Sequence, residues 1–309
     1  MRGVGERSRE ETEEHMEDRQ NQDIHPTAVI EEGARLGSGV SVGPYAVIEA
    51  GVRLDDDVSI GPHAHVKGRT RVGAGTTIGT GAQLGERPQM RKNEPVPGNL
   101  EIGRGNVIRE YVTIHVSTSP ETATRIGDDN FLMGFSHVAH DCQLGDSITM
   151  CNGTLVAGHA QIESRAFLSG NVTVHQFVRI GQLAMIGGLA RVNQDVPPYM
   201  MIVGDSRVWG LNVVGLRRAG VSREEMKLLK KAHAVLYRRG LSPRHAREEL
   251  RKMDSPLIHS LSRFLDESRR GVCGPRKGTL WETLFLEYPY FVRTAVPAYR
   301  HFLRGERRT

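Results

Sequence analysis

The feature that most constrains the fold is an aliphatic residue that recurs every six positions along most of the chain. The series starts at Ile24 and runs to Leu84, resumes at Ile102, and resumes again at Ile126 to end at Val192, with 26 anchors in all. A period of six fits neither the 3.6-residue period of an α-helix nor the alternation of a long strand. It is typical of a hexapeptide parallel β-helix, in which each hexad forms one short strand and one turn. Three hexads make one triangular coil, so the series predicts between eight and nine coils.

The composition agrees with a prism that has a thin core. Glycine accounts for 35 of the 309 residues, and aromatic residues for only 6%. A small residue also stands four positions after each early anchor, as at Ala28, Ala34 and Val40. The hexads are interrupted at 85–99 and 116–125, and we expect these segments to leave the prism as loops. Long loops in a regular solenoid are usually functional.

The hexads stop after Pro197 and Pro198, and helix signals follow. Ser222 and Glu225 form a capping box that predicts a helix to Arg239. Two Ser-Pro pairs, at 242–243 and 255–256, predict two more helices, the last ending near Gly271. The predicted organisation is a disordered, charged N-terminal extension (1–23), a β-helix (24–215), a small helical domain (216–273) and an aromatic-rich tail (274–309).

The chain has no apolar run long enough for a transmembrane helix, and residues 1–23 lack the apolar stretch of a secretory signal. We therefore expect a cytoplasmic protein. The three cysteines, Cys142, Cys151 and Cys273, have no metal-ligand spacing and cannot form a disulfide framework.

The positive charge is concentrated in the last third of the chain. Residues 216–309 carry 22 basic and 10 acidic side chains, a net charge of +12. Such a surface suits nucleic acid, an anionic membrane or an acidic protein. No nucleic-acid motif accompanies it, so we expect no nucleic-acid partner. The tail 275–309 holds seven of the 17 aromatic residues, which leaves peripheral membrane contact open.

Histidines cluster in the second half of the repeat, at His137, His140, His159 and His175. His159 comes three hexads after Asp141, so the period stacks it one coil above that carboxylate, which follows His140 directly. A histidine beside a carboxylate is held in one tautomer and suits a general base near neutral pH. Two other interpretations stay open, a metal site built from histidines and a non-catalytic scaffold.

Several motifs together resemble the UDP-N-acetylglucosamine acyltransferases of lipid A synthesis. The likeness extends from about Ile24 to Gly271. The motifs are NFLMGFSHVAHDC at 130–142, LVAGH at 155–159, VHQF at 174–177, QDVPPY at 194–199, GERPQ at 85–89, IRE at 108–110 and GLRR at 215–218.

The resemblance implies a left-handed β-helix, a homotrimer and a cytoplasmic acyltransferase with no cofactor and no metal. The implied reaction transfers a 3-hydroxyacyl group from acyl carrier protein to the 3-hydroxyl of UDP-N-acetylglucosamine, the first step of lipid A synthesis. The implied general base is His140, which Asp141 orients, and the Gly158 amide polarises the thioester carbonyl. The implied substrate-binding residues are Gln89, Lys92, His137, His159, His175, Gln176, Asn212 and Arg218.

Four positions depart from the family's usual pattern, at Met90, Phe135, Val214 and Ala219. They fall on implied sugar, nucleotide or pantetheine contacts, so the acceptor stays open. A 3-amino sugar nucleotide, or another acylated sugar, is the alternative acceptor. Neither the acyl-chain length nor a role for the two chain ends follows from the sequence.

Overall fold

Residues 23–91 and 96–275 are described by the computed structural model. They form a left-handed parallel β-helix followed by four α-helices. The predicted fold class is therefore confirmed. The predictions made for 1–22, Lys92 and 276–309 lie outside the described residues. Contacts group the described residues up to Gly274 into one compact unit.

Consecutive strands lie on successive faces of the prism, here named A, B and C, and each strand pairs with the strand one coil further on. In most coils the partners are three hexads apart, as for Val42 with Ile60 and Leu144 with Ile162. The bounds follow, face by face. Face A contains β1 (Asp23–Ile24), β4 (Ser41–Val42), β7 (Ser59–Ile60), β10 (Thr77–Ile78), β13 (Val107–Ile108), β16 (Phe131–Leu132), β19 (Thr149–Met150), β22 (Phe167–Leu168) and β25 (Met185–Ile186). Face B contains β2 (Val29–Ile30), β5 (Val47–Ile48), β8 (His65–Val66), β11 (Gln83–Glu86), β14 (Thr113–His115), β17 (His137–Val138), β20 (Leu155–Val156), β23 (Thr173–Val174) and β26 (Arg191–Val192). Face C contains β3 (Arg35–Leu36), β6 (Arg53–Leu54), β9 (Arg69–Val72), β12 (Asn99–Ile102), β15 (Ala123–Ile126), β18 (Gln143–Leu144), β21 (Gln161–Ile162) and β24 (Arg179–Ile180).

The core consists of the anchors and the small residues that follow them. Every anchor from Val42 to Val192 is buried, whereas Ile24, in the first coil, is 36% exposed. Small aliphatic residues such as Ala46 and Val58 are fully buried beside them. Burying each large aliphatic side chain contributes about 1.5–3 kcal/mol, so stacked anchors stabilise neighbouring coils.

The corners of the prism follow a second periodic rule. Most turns place the residue three positions after the anchor at positive φ, as in Asp141 (φ 59°) and His159 (φ 60°). This region costs a residue with a Cβ roughly 1–2 kcal/mol, which explains the glycines at Gly33, Gly39 and Gly51.

Both interruptions of the repeat leave the prism at the same corner, between faces B and C. The first joins β11 to β12 and lengthens the coil step from three hexads to five, as between Val72 and Ile102. The second joins β14 to β15 and gives a step of four hexads, between Ile102 and Ile126. The described residues 87–91, 96–98 and 116–122 form loops that flank one edge of the prism, whereas the ends of the two predicted segments belong to β11, β12 and β15.

The β-helix ends in a hairpin that the hexads did not predict. Strand β27 (Met200–Val203) continues face A in parallel with β25, and β28 (Arg207–Leu211) pairs with it antiparallel. A short strand, β29, spans Gly274–Pro275.

The α-helices are α1 (Val213–Arg218), α2 (Arg223–Tyr237), α3 (Pro243–Arg251) and α4 (Pro256–Glu267). Ser222, Ser242 and Ser255 cap the last three, as the sequence predicts. Two predicted ends were wrong: α2 stops at Tyr237 rather than Arg239, and α4 stops at Glu267 rather than near Gly271. Helix α1 was missed because its apolar pattern covers fewer than two turns. Among the residues described, none of these helices combines the length and apolar character that crossing a membrane requires.

Candidate active site

The B–C corner collects most of the predicted site residues because residues three hexads apart in sequence occupy equivalent turn positions. His140, Gly158 and Gln176 each stand two positions after an anchor, and they form one column along the corner. Asp141, His159 and Phe177 form the adjacent column, all with positive φ. The structure therefore brings together in space what the repeat predicts.

His140 and Asp141 form a hydrogen-bonded pair. The distance from His140 Nδ1 to Asp141 Oδ2 is 2.8 Å, and the side chains are only 17% and 11% exposed. An ionised carboxylate only accepts hydrogen bonds, so the pairing assigns the proton to Nδ1 and leaves the Nε2 lone pair free. That arrangement is what a general base requires.

The second interruption of the repeat (116–125), here called the second insertion, fixes the Asp141 carboxylate. Thr118 Oγ1 donates to Oδ2 at 2.9 Å and Thr122 Oγ1 donates to Oδ1 at 3.4 Å, while the Asp141 amide donates to Thr124 Oγ1 at 2.8 Å. Burial alone would raise the pKa of Asp141, but the hydrogen bonds from His140 and Thr118 outweigh it and lower that pKa. The carboxylate is thus held ionised and in one orientation.

Gly158 lies directly against the His140 ring, one coil away. An ideal Cβ on Gly158 would lie 2.7 Å from Cε1 and 2.8 Å from Nε2 of His140, so no other residue fits without moving the ring. Among the described residues, none accepts a hydrogen bond from the Gly158 amide. A free backbone donor beside a free imidazole nitrogen suits stabilisation of an oxyanion.

His159 and Phe177 continue the column above Asp141. His159 Nε2 is 3.8 Å from Asp141 Oδ2, and its ring meets the His140 ring edge-on with centroids 5.1 Å apart. Phe177 stacks on the other side of His159 at 4.6 Å. The exposed Phe177 ring thus orients His159 at the rim of the site.

His137 lies on face B beside the B–C corner and is neutral at pH 7. Burial lowers its pKa to about 4, with further lowering by His115 and His140. Its Nδ1 is 2.7 Å from Thr113 Oγ1. A neutral imidazole with one nitrogen engaged offers its other nitrogen to a substrate.

His115 is a site neighbour that the sequence analysis missed. It is buried, its ring is 5.0 Å from that of His137, and its Nδ1 is hydrogen-bonded to the Arg87 carbonyl. Through this hydrogen bond the first interruption of the repeat (85–99), here called the first insertion, contacts the histidine cluster. Gln89, two positions further on than Arg87, is exposed at the same corner.

His175 and Gln176 are exposed two coils above His140 and Asp141, and Arg270 contacts both. Arg270 Nη1 donates to the Gln176 carbonyl at 2.9 Å, and Nη2 is 3.4 Å from His175 Nδ1. Arg270 follows α4 and is far from His175 in sequence, so hexad spacing could not indicate it.

Asn212 and Arg218 lie elsewhere in this chain. Asn212 Oδ1 caps α1, accepting from the Gly215 amide at 3.0 Å, and its Nδ2 donates to the Leu183 carbonyl at 2.9 Å. Leu183 lies at the C–A corner, between β24 and β25, and Arg218 is exposed at the end of α1. The structure therefore does not bring these two residues to the His140 corner of the same chain.

A cysteine nucleophile and a bound metal ion are two other chemistries to compare with this geometry. Burial raises the pKa of Cys142, next to Asp141, to about 12, so this thiol is not an activated nucleophile. His140, Asp141 and His159 place three potential metal-binding atoms within 4.8 Å of one another. A metal on Nδ1 of His140 would have to displace the hydrogen bond to Asp141.

Comparisons with known proteins agree on one family. The sequence model described as UDP N-acetylglucosamine O-acyltransferase, domain 2, matches residues 195–273. The chain is 51% identical over 254 residues to the acyl-(acyl carrier protein)–UDP-N-acetylglucosamine O-acyltransferase of Alkalilimnicola ehrlichii, covering 81% of this chain and 98% of that one. It is 45% identical over 258 residues to the same enzyme of Burkholderia orbicola, with the same coverage.

Solved structures of UDP-N-acetylglucosamine acyltransferases are also similar to this chain. The UDP-N-acetylglucosamine acyltransferase of Francisella novicida matches with a TM-score of 0.79 and 34% identity, over 82% of this chain and 95% of that chain. The Arabidopsis enzyme matches with a TM-score of 0.73 and 36% identity, over 81% and 99%.

Proposed function

Since the chain belongs to the acyl-(acyl carrier protein)–UDP-N-acetylglucosamine O-acyltransferase family, we propose that it carries out this reaction, the first step of lipid A synthesis. The acyl donor is a 3-hydroxyacyl thioester of acyl carrier protein, and the acceptor is the 3-hydroxyl of UDP-N-acetylglucosamine. The observation that carries the proposal is the contact between His140, held by Asp141, and the backbone of Gly158.

The mechanism uses these groups in order. His140 Nε2 removes the proton of the sugar hydroxyl as the oxygen attacks the thioester carbonyl, because an alcohol is a weak nucleophile at neutral pH. The Gly158 N–H donates to the oxyanion of the tetrahedral intermediate. When the C–S bond breaks, protonated His140 returns the proton to the departing thiolate. Asp141 stabilises the imidazolium between the two steps.

Substrate binding extends from this centre along the B–C corner. We assign His137, His159, His175 and Gln176 to the substrate groove, together with Gln89 on the first insertion. Lys92, which belongs to the same insertion, lies outside the described residues and stays a prediction. His137 supports this assignment, because its neutral ring is half-buried beside the proposed base and, among the described residues, is hydrogen-bonded through Nδ1 alone.

We propose that the working enzyme is a homotrimer with its sites between subunits. The A–B corner carries an exposed apolar ladder in which Tyr45, Tyr111, Phe135 and Leu189 are between 52% and 76% exposed. Tyr111 and Phe135 stack at 5.3 Å across coils. Such patches mark protein contacts. The separation of Asn212 from His140 within one chain also supports a site that a neighbouring subunit completes.

An acceptor assay tests the proposed function. Purified enzyme is given 3-hydroxyacyl carrier protein with either UDP-N-acetylglucosamine or its 3-amino analogue, and the products are identified by mass spectrometry. We expect ester formation on the hydroxyl sugar at the higher kcat/KM. A preference of tenfold or more for the amine would assign the protein to the alternative acceptor, and Met90 and Phe135 would be the first departures from the family pattern to test.

Two remaining alternatives have separate tests. A metalloprotein would contain stoichiometric metal after purification and would lose activity on chelation, whereas base catalysis by His140 would not. A scaffold would transfer no acyl group to either sugar. We place the enzyme in the cytoplasm, where nucleotide sugars and acyl carrier protein are made.

A further inference from the structure

A second concave surface lies above the proposed catalytic corner, and of its lining residues the proposed reaction uses only His175. This basic groove has a volume of about 560 Å³ and is lined by His175, Arg191, Asn193, Asp205, Arg207 and Arg270. The hairpin of β27 and β28 forms one wall, and the segment after α4 supplies Arg270.

The charges in the groove favour an anion. Arg191 forms a bidentate pair with Asp205, at 3.1 and 3.2 Å. Arg207 and Arg270 are exposed, and neither forms an ion pair with the described residues. Arg270 is held in place by the carbonyls of Gln176 and Asn193, at 2.9 and 3.4 Å. Two guanidinium groups without carboxylate partners are well suited to a phosphate, which they can bind through paired N–H donors.

The groove is aligned with the catalytic base. Gln194, which also lines it, comes nine hexads after His140 and therefore lies three coils above it in the same column. Neighbouring parallel strands are about 4.8 Å apart, so three coils separate the groove from His140 by roughly 14 Å. His175 lies between the two places, at the rim of the groove.

We propose that the basic groove binds the phosphodiester of the 4′-phosphopantetheine arm on the carrier protein, an inference that rests on the proposed function. Between its sulfur and its phosphorus the arm has about as many main-chain bonds as four amino-acid residues. Such a chain spans at most about 14 Å when extended. A phosphate held by Arg207 and Arg270 therefore lets the thioester reach His140 with the arm lying along the B–C corner.

The diphosphate of the nucleotide sugar is the competing occupant. The donor is favoured because the groove lies at the distance that an extended arm requires.

The test compares two small donors with the same acyl chain, 3-hydroxyacyl-phosphopantetheine and 3-hydroxyacyl-pantetheine, at saturating UDP-N-acetylglucosamine. We expect the wild-type enzyme to favour the phosphorylated donor by tenfold or more in kcat/KM. Arg207→Gln and Arg270→Gln should each reduce kcat/KM for that donor about tenfold to a hundredfold, the effect of losing one charged hydrogen bond. The loss of kcat/KM should be clearly smaller for the donor without phosphate, and most clearly so in Arg207→Gln, because Arg270 also contacts His175 and Gln176 of the substrate groove.

Arg269→Gln is the matched control, because Arg269 is exposed next to Arg270 but does not line the groove. Thermal midpoints identify a variant that has merely unfolded. Arg207→Gln is the safer variant in this respect, because the Arg207 side chain forms no hydrogen bond with the part of the chain that the structure describes. Equal losses with both donors would overturn the proposal. So would a rise confined to KM for the nucleotide sugar, which would assign the groove to the diphosphate.

A binding measurement separates this proposal from the proposed function. Calorimetric titration with phosphopantetheine and with pantetheine needs no acyl transfer, and we expect tighter binding of the phosphorylated compound that disappears in Arg207→Gln. If the enzyme binds phosphopantetheine in this way yet acylates neither sugar, the proposed function fails and the groove assignment stands. If acyl transfer occurs but phosphopantetheine and pantetheine bind equally, the proposed function stands and the groove assignment fails.

Discussion

The imidazole of His140 occupies the space that a side chain on Gly158 would need, one coil further along the chain. An ideal Cβ at Gly158 would approach Cε1 of His140 to 2.7 Å. The base and the free amide that would hold the oxyanion are therefore placed against each other by two consecutive coils. The positioning depends on backbone stacking, so it is fixed as firmly as the prism itself.

Gly158→Ala should reduce kcat strongly while leaving the fold intact. The new methyl group must push the His140 ring away from Asp141, and a misplacement of about 1 Å costs about a hundredfold in rate. Steady-state kinetics with acyl carrier protein as donor measure the loss. Gly170→Ala is the matched control, because Gly170 has the corresponding turn position and its nearest contact would be an ordinary 3.6 Å. A Gly158→Ala enzyme with near wild-type kcat would show that the ring is not confined there.

His140→Ala should fold normally and lose most of its activity. Removing a general base costs roughly 10² to 10⁴ in rate. His259→Ala, at an exposed position on α4, provides the control for loss of a histidine. If the His140→Ala enzyme keeps more than about a tenth of wild-type turnover, His140 is not the base.

His137 should make the protein less stable as the pH falls from 6.5 to about 4. Burial lowers its pKa to about 4 in the folded protein, whereas the unfolded chain has the ordinary value of 6.5. Between these values the unfolded state binds the extra proton, so stability decreases on acidification and is fully present above pH 6.5. Denaturant unfolding at a fixed protomer concentration, at pH 7.5 and 4.5, should show a smaller loss for His137→Gln than for wild type. Parallel losses in the two proteins would contradict a buried, neutral His137.

The period of the repeat was enough to locate the corner that we propose to be catalytic. A coil of three hexads converts sequence spacing directly into stacking, so Asp141 and His159 could be placed together from the sequence. The anchors needed no other information, because each one repeats the same environment.

The parts of the site that the sequence did not predict come from outside the regular period. Thr118 reaches Asp141 only because the second insertion folds back on the corner. The path of that loop does not follow from the six-residue period. His115 meets His137 across a coil step of four hexads rather than three. Arg270 depends on the packing of α4 against the prism, which no local signal encodes.

Phe135→Glu should dissociate the proposed trimer. Phe135 is 62% exposed in the apolar ladder, and a carboxylate there would be buried without a partner in any interface formed by that corner. Light scattering should show loss of the trimer mass, and activity should fall with it. Leu241→Glu, between α2 and α3, is the control. A wild-type enzyme that is monomeric at assay concentration and fully active would exclude sites shared between subunits.

The basic helical segment should dock acyl carrier protein through charge. Arg238 and Arg239 at the end of α2 are exposed and pair with no carboxylate among the described residues. Attraction between a basic surface and an acidic carrier speeds their encounter and is screened by salt, with a Debye length of about 10 Å at 0.1 M. KM for acyl carrier protein should therefore rise steeply with ionic strength, while KM for the nucleotide sugar changes less. The double reversal Arg238→Glu with Arg239→Glu should reproduce the effect of high salt, and the same reversal at Arg35 and Arg53, exposed on face C, should not. If KM for the carrier responds neither to salt nor to reversal at α2, this surface serves another partner, and binding to anionic vesicles would be the next measurement.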